Sequence, residues 1–438
     1  MKKRNKIEIA VMGILLAVVI VIVSVFSSHQ FSSHEVRVKN FFAEKKDTID
    51  VVHIGASEMY AGFSPEYIWE NYGITSYNLA TAAAPMGLAK SQVQAAIEYQ
   101  HPKLMVISMN GAVYNNKRAV AEGYTRMWID NMPDSSLRNK AIDDLIKGDK
   151  LTYKFKVLKY HDNLARFVEC YDLFKREARA KVDKRLLTIS GIQGQACSDD
   201  RDLSQIVDAT NFKEEKSLSK ITAMQLYDLL NYLKENKIKN VIFVNMPRYY
   251  DEPMLDSKTR INKATKIIKK YGYEVYDFDM KLKEIGLDPK DDFYNPYHLN
   301  AIGQQKMSKY FYEKVLPNYK IKTRNYDEDV KIRWDENYNA YTKVYTWIEK
   351  TIRNKSEYKM SYDYRVVDHI LAGTIDNYEN TLIKKAKIRM EKDRKKERRK
   401  LEEWQRRQEE KNPLPKPNKK EKAKPVPPAQ NVKEQKNV

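Results

Sequence analysis

The run of apolar and polar positions divides the chain into blocks of different character. From Ile9 to Phe26 no charged residue occurs and no polar face interrupts the apolar one, a length close to the minimum needed to cross a bilayer. Further on, Ile49 to Ile54 (IDVVHI) reads as a strand buried on both faces of a parallel sheet, ended by Gly55-Ala56-Ser57. Ser64-Pro65-Glu66 predicts a helix start, with a capping hydroxyl followed by proline in the first turn, and Gly73 predicts its stop. A second strand is expected at Ser76 to Leu79, a helix at Leu88 to Tyr99, and a third strand at Leu104 to Met109, ending in Asn110-Gly111.

The alternation lapses between Asn115 and Lys216. Helical segments there, such as Ser136 to Lys147 and Asn163 to Lys181, are joined by polar turns without a clear strand, which marks residues 115–216 as a helical insertion. Alternation resumes with a helix at Ile221 to Glu235, a strand at Val241 to Asn245, a helix at Lys258 to Tyr271, a strand at Glu274 to Tyr276 and a last helix at Ala301 to Val315. Strands separated by helices need crossover connections, so the pattern predicts an α/β fold: a three-layer α/β/α sandwich around a parallel sheet of about five strands. Beyond Pro317, residues Tyr326 to Glu379 keep helical spacing and Leu382 to Gln408 has the composition of a long charged helix. Pro413 to Pro428 cannot bury a core and is expected to be disordered. The expected organisation is a basic N-terminus (1–8), a membrane anchor (9–27), a juxtamembrane stretch (28–48), the α/β domain (49–317), a charged helical extension (318–410) and a disordered Lys/Pro-rich tail (411–438).

Charge sharpens this picture. The chain of 438 residues has a net charge of +20, and the stretch from Thr381 to Val438 holds 21 Lys/Arg against 9 Asp/Glu, so 12 of those charges belong to the tail and the body is only mildly basic. Lys2, Lys3, Arg4 and Lys6 precede the apolar run; positive charge there holds the N-terminus in the cytoplasm and places the main domain outside the cell. The alternative is a cleaved signal peptide, but Ser27-Ser28-His29-Gln30 is a poor match to a small-x-small cleavage site. A basic tail carrying Trp404 invites a nucleic-acid reading, yet no base-reading fold accompanies it and its location is extracellular, so no nucleic acid is expected. An anionic wall polymer or a lipid head group suits that location better. Cys170 and Cys197 are too few for a disulfide framework and lack metal-ligand spacing, so neither a metal nor another cofactor is indicated. One bridge between them and two buried thiols both remain open.

Three candidate groups fall at the carboxyl ends of expected strands, where parallel α/β sheets carry their functional groups. Ser57 follows the first strand on a tight turn, Asn110 follows the third, and His298 precedes the last helix. A serine hydroxyl is a poor nucleophile until a base such as histidine takes its proton. Of the other histidines, His53 lies within a strand and is expected to be packed, whereas His161, beside Tyr160 in the insertion, is either a substrate contact or surface.

The order Gly-x-Ser at Gly55 to Ser57, Tyr77-Asn78-Leu79, a strand ending in Asn110, and His-Leu-Asn-x-x-Gly at His298 to Gly303 resembles the SGNH/GDSL hydrolases. It is most similar to their membrane-anchored bacterial branch, which includes proteins of teichoic-acid D-alanylation and exopolysaccharide O-acetylation. The similarity runs from about Asp50 to Pro317 outside part of the insertion. It implies a flavodoxin-like fold, Ser57 as acyl-accepting nucleophile with its own N–H in the oxyanion hole, His298 as base, and Asn110 or Asn78 as the side-chain donor to the oxyanion. Two positions depart from the family: Ala80 stands where the second block has glycine, with Gly87 seven residues later, and Asn295 stands where the pattern has Asp-x-x-His. An asparagine can accept the imidazole N–H but cannot balance an imidazolium. Three outcomes are open: Asp292 or Asp291 supplies the carboxylate, the pair acts as a Ser-His dyad, or catalysis is lost. The resulting expectation is a cofactor-free extracytoplasmic serine esterase or O-acyltransferase acting on a cell-envelope polysaccharide or teichoic-acid-like polymer, acetyl by default and D-alanyl second, with a membrane acyltransferase as a possible partner. The alternative is an inactive scaffold or polysaccharide-binding protein of a membrane complex.

Overall fold

The computed structural model describes residues 3–27, 33–171, 174–175 and 203–353, with isolated positions between 369 and 406. Its centre is a five-stranded, wholly parallel sheet of strands β1 (Val51–Gly55), β2 (Ser76–Ala80), β3 (Leu104–Ser108), β4 (Val241–Asn245) and β5 (Glu274–Asp277) in the order β2-β1-β3-β4-β5. The helices that matter for the site are α1 (Lys3–Ser27), α2 (Ser33–Ala43), α3 (Ser57–Tyr60), α4 (Pro65–Tyr72), α5 (Met86–Gln100), α6 (Lys220–Glu235), α7 (Leu255–Lys270), α8 (Ala301–Tyr310) and α9 (Glu328–Arg353).

Because successive side chains in a strand point to opposite faces, continuous apolar strands feed two cores. Val52, Ile54, Met105, Ile107 and Phe243 pack with Val93 of α5, Leu229 of α6 and Ile261 of α7. Val51, Val106, Ile242 and Val244 pack on the other face with Ile68 of α4 and Met307 of α8. The three layers follow directly from that alternation. His53, on the second face, is fully buried, stacked 4.0 Å from Phe63 and held at Nδ1 by Asn78 Oδ1 at 2.9 Å. Burial holds it neutral, with its pKa down at about 3.

Four local features depart from the expectations above. The juxtamembrane stretch folds into α2, whose Val38 and Phe41 enter the first core and whose buried Arg37 donates to the Ala80 carbonyl at 3.1 Å. Ser64 does not cap α4, since its side chain makes no bond to the first turn, although Pro65 opens the helix and Gly73 closes it at φ 62°. The last helix ends its α-helical part at Tyr310 and runs on to Val315 as a π-turn. The charged extension begins inside the domain, since Trp334 and Tyr341 of α9 are buried and Trp69 of α4 donates to Asp335 at 2.7 Å. A mixed apolar and charged helix therefore covers α4 rather than standing apart.

The insertion is a set of short helices, including Glu122–Ile129, Ser136–Leu145, Leu151–Lys154 and Val157–Tyr160. Arg126 ties them together through Asp130 at 3.1 Å and Thr152 at 2.7 Å, and Tyr160 donates to Asp130 at 2.6 Å. His161 is exposed beside Asp162. The Cys170 thiol is buried 3.7 Å from the Asn163 carbonyl; Cys197, the end of the helix expected to Lys181, Trp404 and the Lys/Pro-rich tail lie outside the described residues. Residues 387–438 form a separate unit, described only at isolated helical positions such as Glu391 and Lys395, an ion pair at 2.8 Å.

One buried group makes a stability prediction. Both carboxylate oxygens of Glu66 in α4 are buried without a hydrogen-bond partner among the described residues, and burial pushes its pKa up to about 8 from 4.5. A carboxyl raised in the folded state stabilises below its unfolded pKa, and that contribution is lost as pH rises through the folded one. Between pH 6.5 and 8, where the depressed histidines are already neutral, wild-type stability should fall with a slope from this group of up to about 1.4 kcal/mol per pH unit. Urea denaturation of Glu66→Gln in the same window should show that slope removed; an identical slope would refute the assignment.

Candidate functional site

Strand order decides where a site can form. The chain winds from β1 outward to β2 and then returns to β3 on the other side of β1, so the crevice between the carboxyl ends of β1 and β3 is the topological switch point of the sheet. Ser57 leaves β1 there as the first residue of α3, and Asn110 leaves β3 beside it. The turn needs glycine at position 55: its φ is 150°, and a Cβ would stand 2.5 Å from Cβ of Ser108. Close contact between the first and third strand ends is thus built into the Gly-x-Ser motif.

The late motif works by different physics. Asn300, fully buried, caps α8 by accepting from the N–H groups of Ile302 and Gly303 at 3.0 and 3.1 Å, and its amide donates to the Asp291 carbonyl at 2.6 Å. Gly303 lets the helix approach the preceding loop, since a Cβ would lie 2.3 Å from the Asp292 carbonyl oxygen. Between these fixed points the chain makes an antiparallel hairpin, β6 (Phe293–Asn295) and β7 (His298–Leu299), which pairs Asn295 with His298. The sequence reading missed this hairpin because its strands have three and two residues.

His298 Nε2 lies 2.6 Å from Ser57 Oγ, and His298 Nδ1 lies 2.9 Å from Asn295 Oδ1. The Tyr294 ring stacks on the imidazole at 5.1 Å with an interplanar angle of 4°. Asn295 Oδ1 also accepts the Tyr297 backbone N–H at 2.9 Å. That second bond matters because an N–H cannot donate to an amide NH2; the side-chain oxygen must face the ring, and Nδ1 must carry the proton. Nε2 is then the lone-pair nitrogen that receives the Ser57 hydroxyl. Burial, reinforced by the positive charge of Arg248, holds the His298 pKa down at about 3, which keeps the ring in this neutral state.

Asn110 is held in place as well. Its amide nitrogen donates to Glu58 Oε2 at 3.0 Å and approaches the Tyr114 hydroxyl at 3.4 Å, while its oxygen accepts from Arg248 Nη2 at 3.2 Å. Glu58 also receives the Ser108 hydroxyl and, at 3.3 Å, the N–H of Ala56. Glu58, Ser108 and Arg248 are buried, whereas Ser57, Asn110 and His298 retain some exposure. A polar floor of opposite charges therefore lies beneath a partly open Ser-His pair. Behind it, buried Lys258 bridges Asp277 at 2.7 Å and Asp279 at 3.1 Å at the end of β5.

The other candidates lie elsewhere. Asn78 is buried in the second layer, its oxygen against His53 and its amide donating to the Phe63 carbonyl at 2.8 Å, so it does not reach the site. Asp292 turns its carboxylate to the Asp288 N–H at 2.8 Å and to Lys306 at 2.7 Å, and Asp291 contributes its backbone carbonyl to Asn300. Neither carboxylate takes the Nδ1 proton, which goes to Asn295 because the hairpin pairs those two residues directly. Sequence reasoning passed over Glu58 and Arg248. Each carried a positional signal, a charged residue just past the end of a buried strand, β1 for Glu58 and β4 for Arg248. The arrangement can move a proton from a serine hydroxyl to a neutral imidazole. Compared with known proteins, the chain matches no family model and no curated protein.

Proposed function

We propose that this protein is a membrane-anchored, extracytoplasmic serine esterase or O-acyltransferase that acts on a cell-envelope glycopolymer. The observation that carries the reading is the Ser57–His298 hydrogen bond of 2.6 Å with Nδ1 held by Asn295. Ser57 attacks the acyl carbonyl as His298 takes its proton; the imidazolium then protonates the departing alcohol, leaving an acyl-serine. Water as acceptor gives hydrolysis and a sugar hydroxyl gives transfer. The order of motifs resembling the SGNH/GDSL hydrolases favours acetyl, then D-alanyl, and a membrane acyltransferase as donor partner. α1 supports the anchor, being long and apolar enough to cross a membrane over Lys6–Val23. The test is a fluorophosphonate label on the purified full-length protein: it is expected to land on Ser57 and to be lost in Ser57→Ala. Labelling that persists in Ser57→Ala overturns the catalytic reading.

A second reading, an inactive scaffold of the same fold, draws on two observations. Asn295 supplies no negative charge to the imidazolium, and Arg248 opposes its formation. The pH profile of activated-ester hydrolysis separates the two. Neutral His298 is the active form, and its depressed pKa keeps it neutral well below 6.5, so kcat/KM should stay flat through pH 5. Arg248→Met removes the opposing charge and should move the acid limb to higher pH; an unmoved limb would show that Arg248 does not act on the base.

A further inference from the structure

The described residues place an unusual concentration of exposed apolar side chains in the insertion. Leu151, Phe155 and Leu158 are 59%, 59% and 53% exposed, and Phe167 and Val168 are 48% and 72% exposed. Leu151 opens the short helix Leu151–Lys154, Phe155 ends it, and Leu158 lies in the next one, Val157–Tyr160, so the three exposed side chains come from two consecutive turns of the insertion. Soluble surfaces rarely gather large apolar side chains in this way without something to cover them. Lys154 and Lys159 are exposed among them, Lys159 also pairing with Glu122 at 3.0 Å, and residues 151–171 hold four Lys/Arg against two acidic groups.

The position of this patch says what covers it. α1 packs against the segments Val157–Tyr160 and His161–Arg166. Residues 6–22 of α1 are exposed and Val23 is the first that is not, so the contact falls at the carboxyl end of the apolar span Lys6–Val23. A span of that length ends where the acyl chains give way to head groups. The insertion meets α1 at that level, with apolar side chains outward and lysines beside them, the composition of a surface that lies in a membrane interface.

We infer that residues Leu151–Tyr171 form a second membrane contact, seated in the interfacial layer of the leaflet where α1 emerges, with Leu151, Phe155, Leu158, Phe167 and Val168 among the upper acyl chains and Lys154 and Lys159 at anionic lipid head groups. The inference rests on α1 crossing a bilayer. A single helix leaves a domain free to tilt and rotate about its tether; a second contact fixes which face of the domain looks along the membrane. For the function proposed above, that orientation selects acceptors at the membrane surface, such as lipid-linked polymer, over polymer deep in the wall.

The test uses the full-length protein in vesicles of phosphatidylglycerol and phosphatidylcholine. The photo-crosslinking residue p-benzoylphenylalanine replaces Leu158, Val168, Val18 of α1 or Met224, which is 62% exposed on α6. Lipid adducts at Leu158 and Val168 are expected at about ten times the yield at Met224, as befits side chains held among acyl chains rather than in water. Lys154→Glu with Lys159→Glu should lower the yield in phosphatidylglycerol and leave it unchanged in pure phosphatidylcholine. Adducts at Val18 with none at Leu158 and Val168 overturn the second contact while leaving the anchor intact. Protein-protein adducts at Val168 in place of lipid overturn it in favour of a protein partner. No adduct at Val18 overturns the anchor itself.

Discussion

Ser57→Ala and His298→Ala are each expected to lower hydrolysis of an activated acetyl ester by a factor on the order of 10² to 10⁴, and the double replacement by no more than either alone. The two groups act as a unit, because the Ser57 hydroxyl and His298 Nε2 are hydrogen-bonded to each other at 2.6 Å, so the proton that one gives up is the proton that the other takes. In a serine protease with a complete triad such losses reach about 10⁶, of which the third residue accounts for about 10⁴. Asn295 removes part of that advantage in advance. If its only defect were the missing charge, the pair would retain more than the remaining factor of about 10², because the Tyr297 N–H already orients the amide oxygen toward Nδ1. Additive losses in the double replacement, or turnover in Ser57→Ala equal to wild type, would rule out a coupled nucleophile and base.

Much of the layout was legible because it rests on local signals. The strands β1, β3 and β4 are continuous apolar runs buried almost along their length, so they stood out without any partner in view, and the half-exposed edge strand β5 followed from the alternation of helix and strand. Part of the late motif was legible for a similar reason: Asn300 caps the helix within its own first turn. What escaped depends on contacts across the fold. Glu58, Ser108, Asn110 and Arg248 come from three strand ends, and their mutual orientation exists only once β1, β3 and β4 lie side by side.

Asn78 shows the opposite error. Its place in a family-like block suggested a donor to the oxyanion, but strand register sets it opposite His53, where a buried imidazole needs a hydrogen-bond partner. Asp292 turns one carboxylate oxygen to Lys306 and the Asp288 N–H, away from His298, while its other oxygen is buried without a hydrogen bond among the described residues. Ser64, expected as a cap, is held instead through its backbone, its N–H donating to the Ser308 hydroxyl at 2.9 Å.

Asn295→Asp is expected to raise kcat/KM for the same ester by a factor on the order of 10 to 10², short of the 10⁴ lost when the protease aspartate becomes asparagine. Part of that protease loss comes from an amide that stabilises the wrong tautomer, and here the tautomer is already correct. What the carboxylate adds is charge: it offsets Arg248 and stabilises the imidazolium in the transition state without moving any neighbour, because it can accept from Tyr297 N–H and His298 Nδ1 as the amide oxygen does. The same charge must raise the His298 pKa from its depressed value near 3. The gain should therefore arrive with an acid limb shifted to higher pH, and the two effects should scale together when Asn295→Asp is combined with Arg248→Met. A rate gain with an unmoved limb would place the carboxylate's effect elsewhere than on His298. No gain, with the limb shifted as expected, would show a base that titrates but no longer serves a nucleophile, which is the scaffold reading in its testable form.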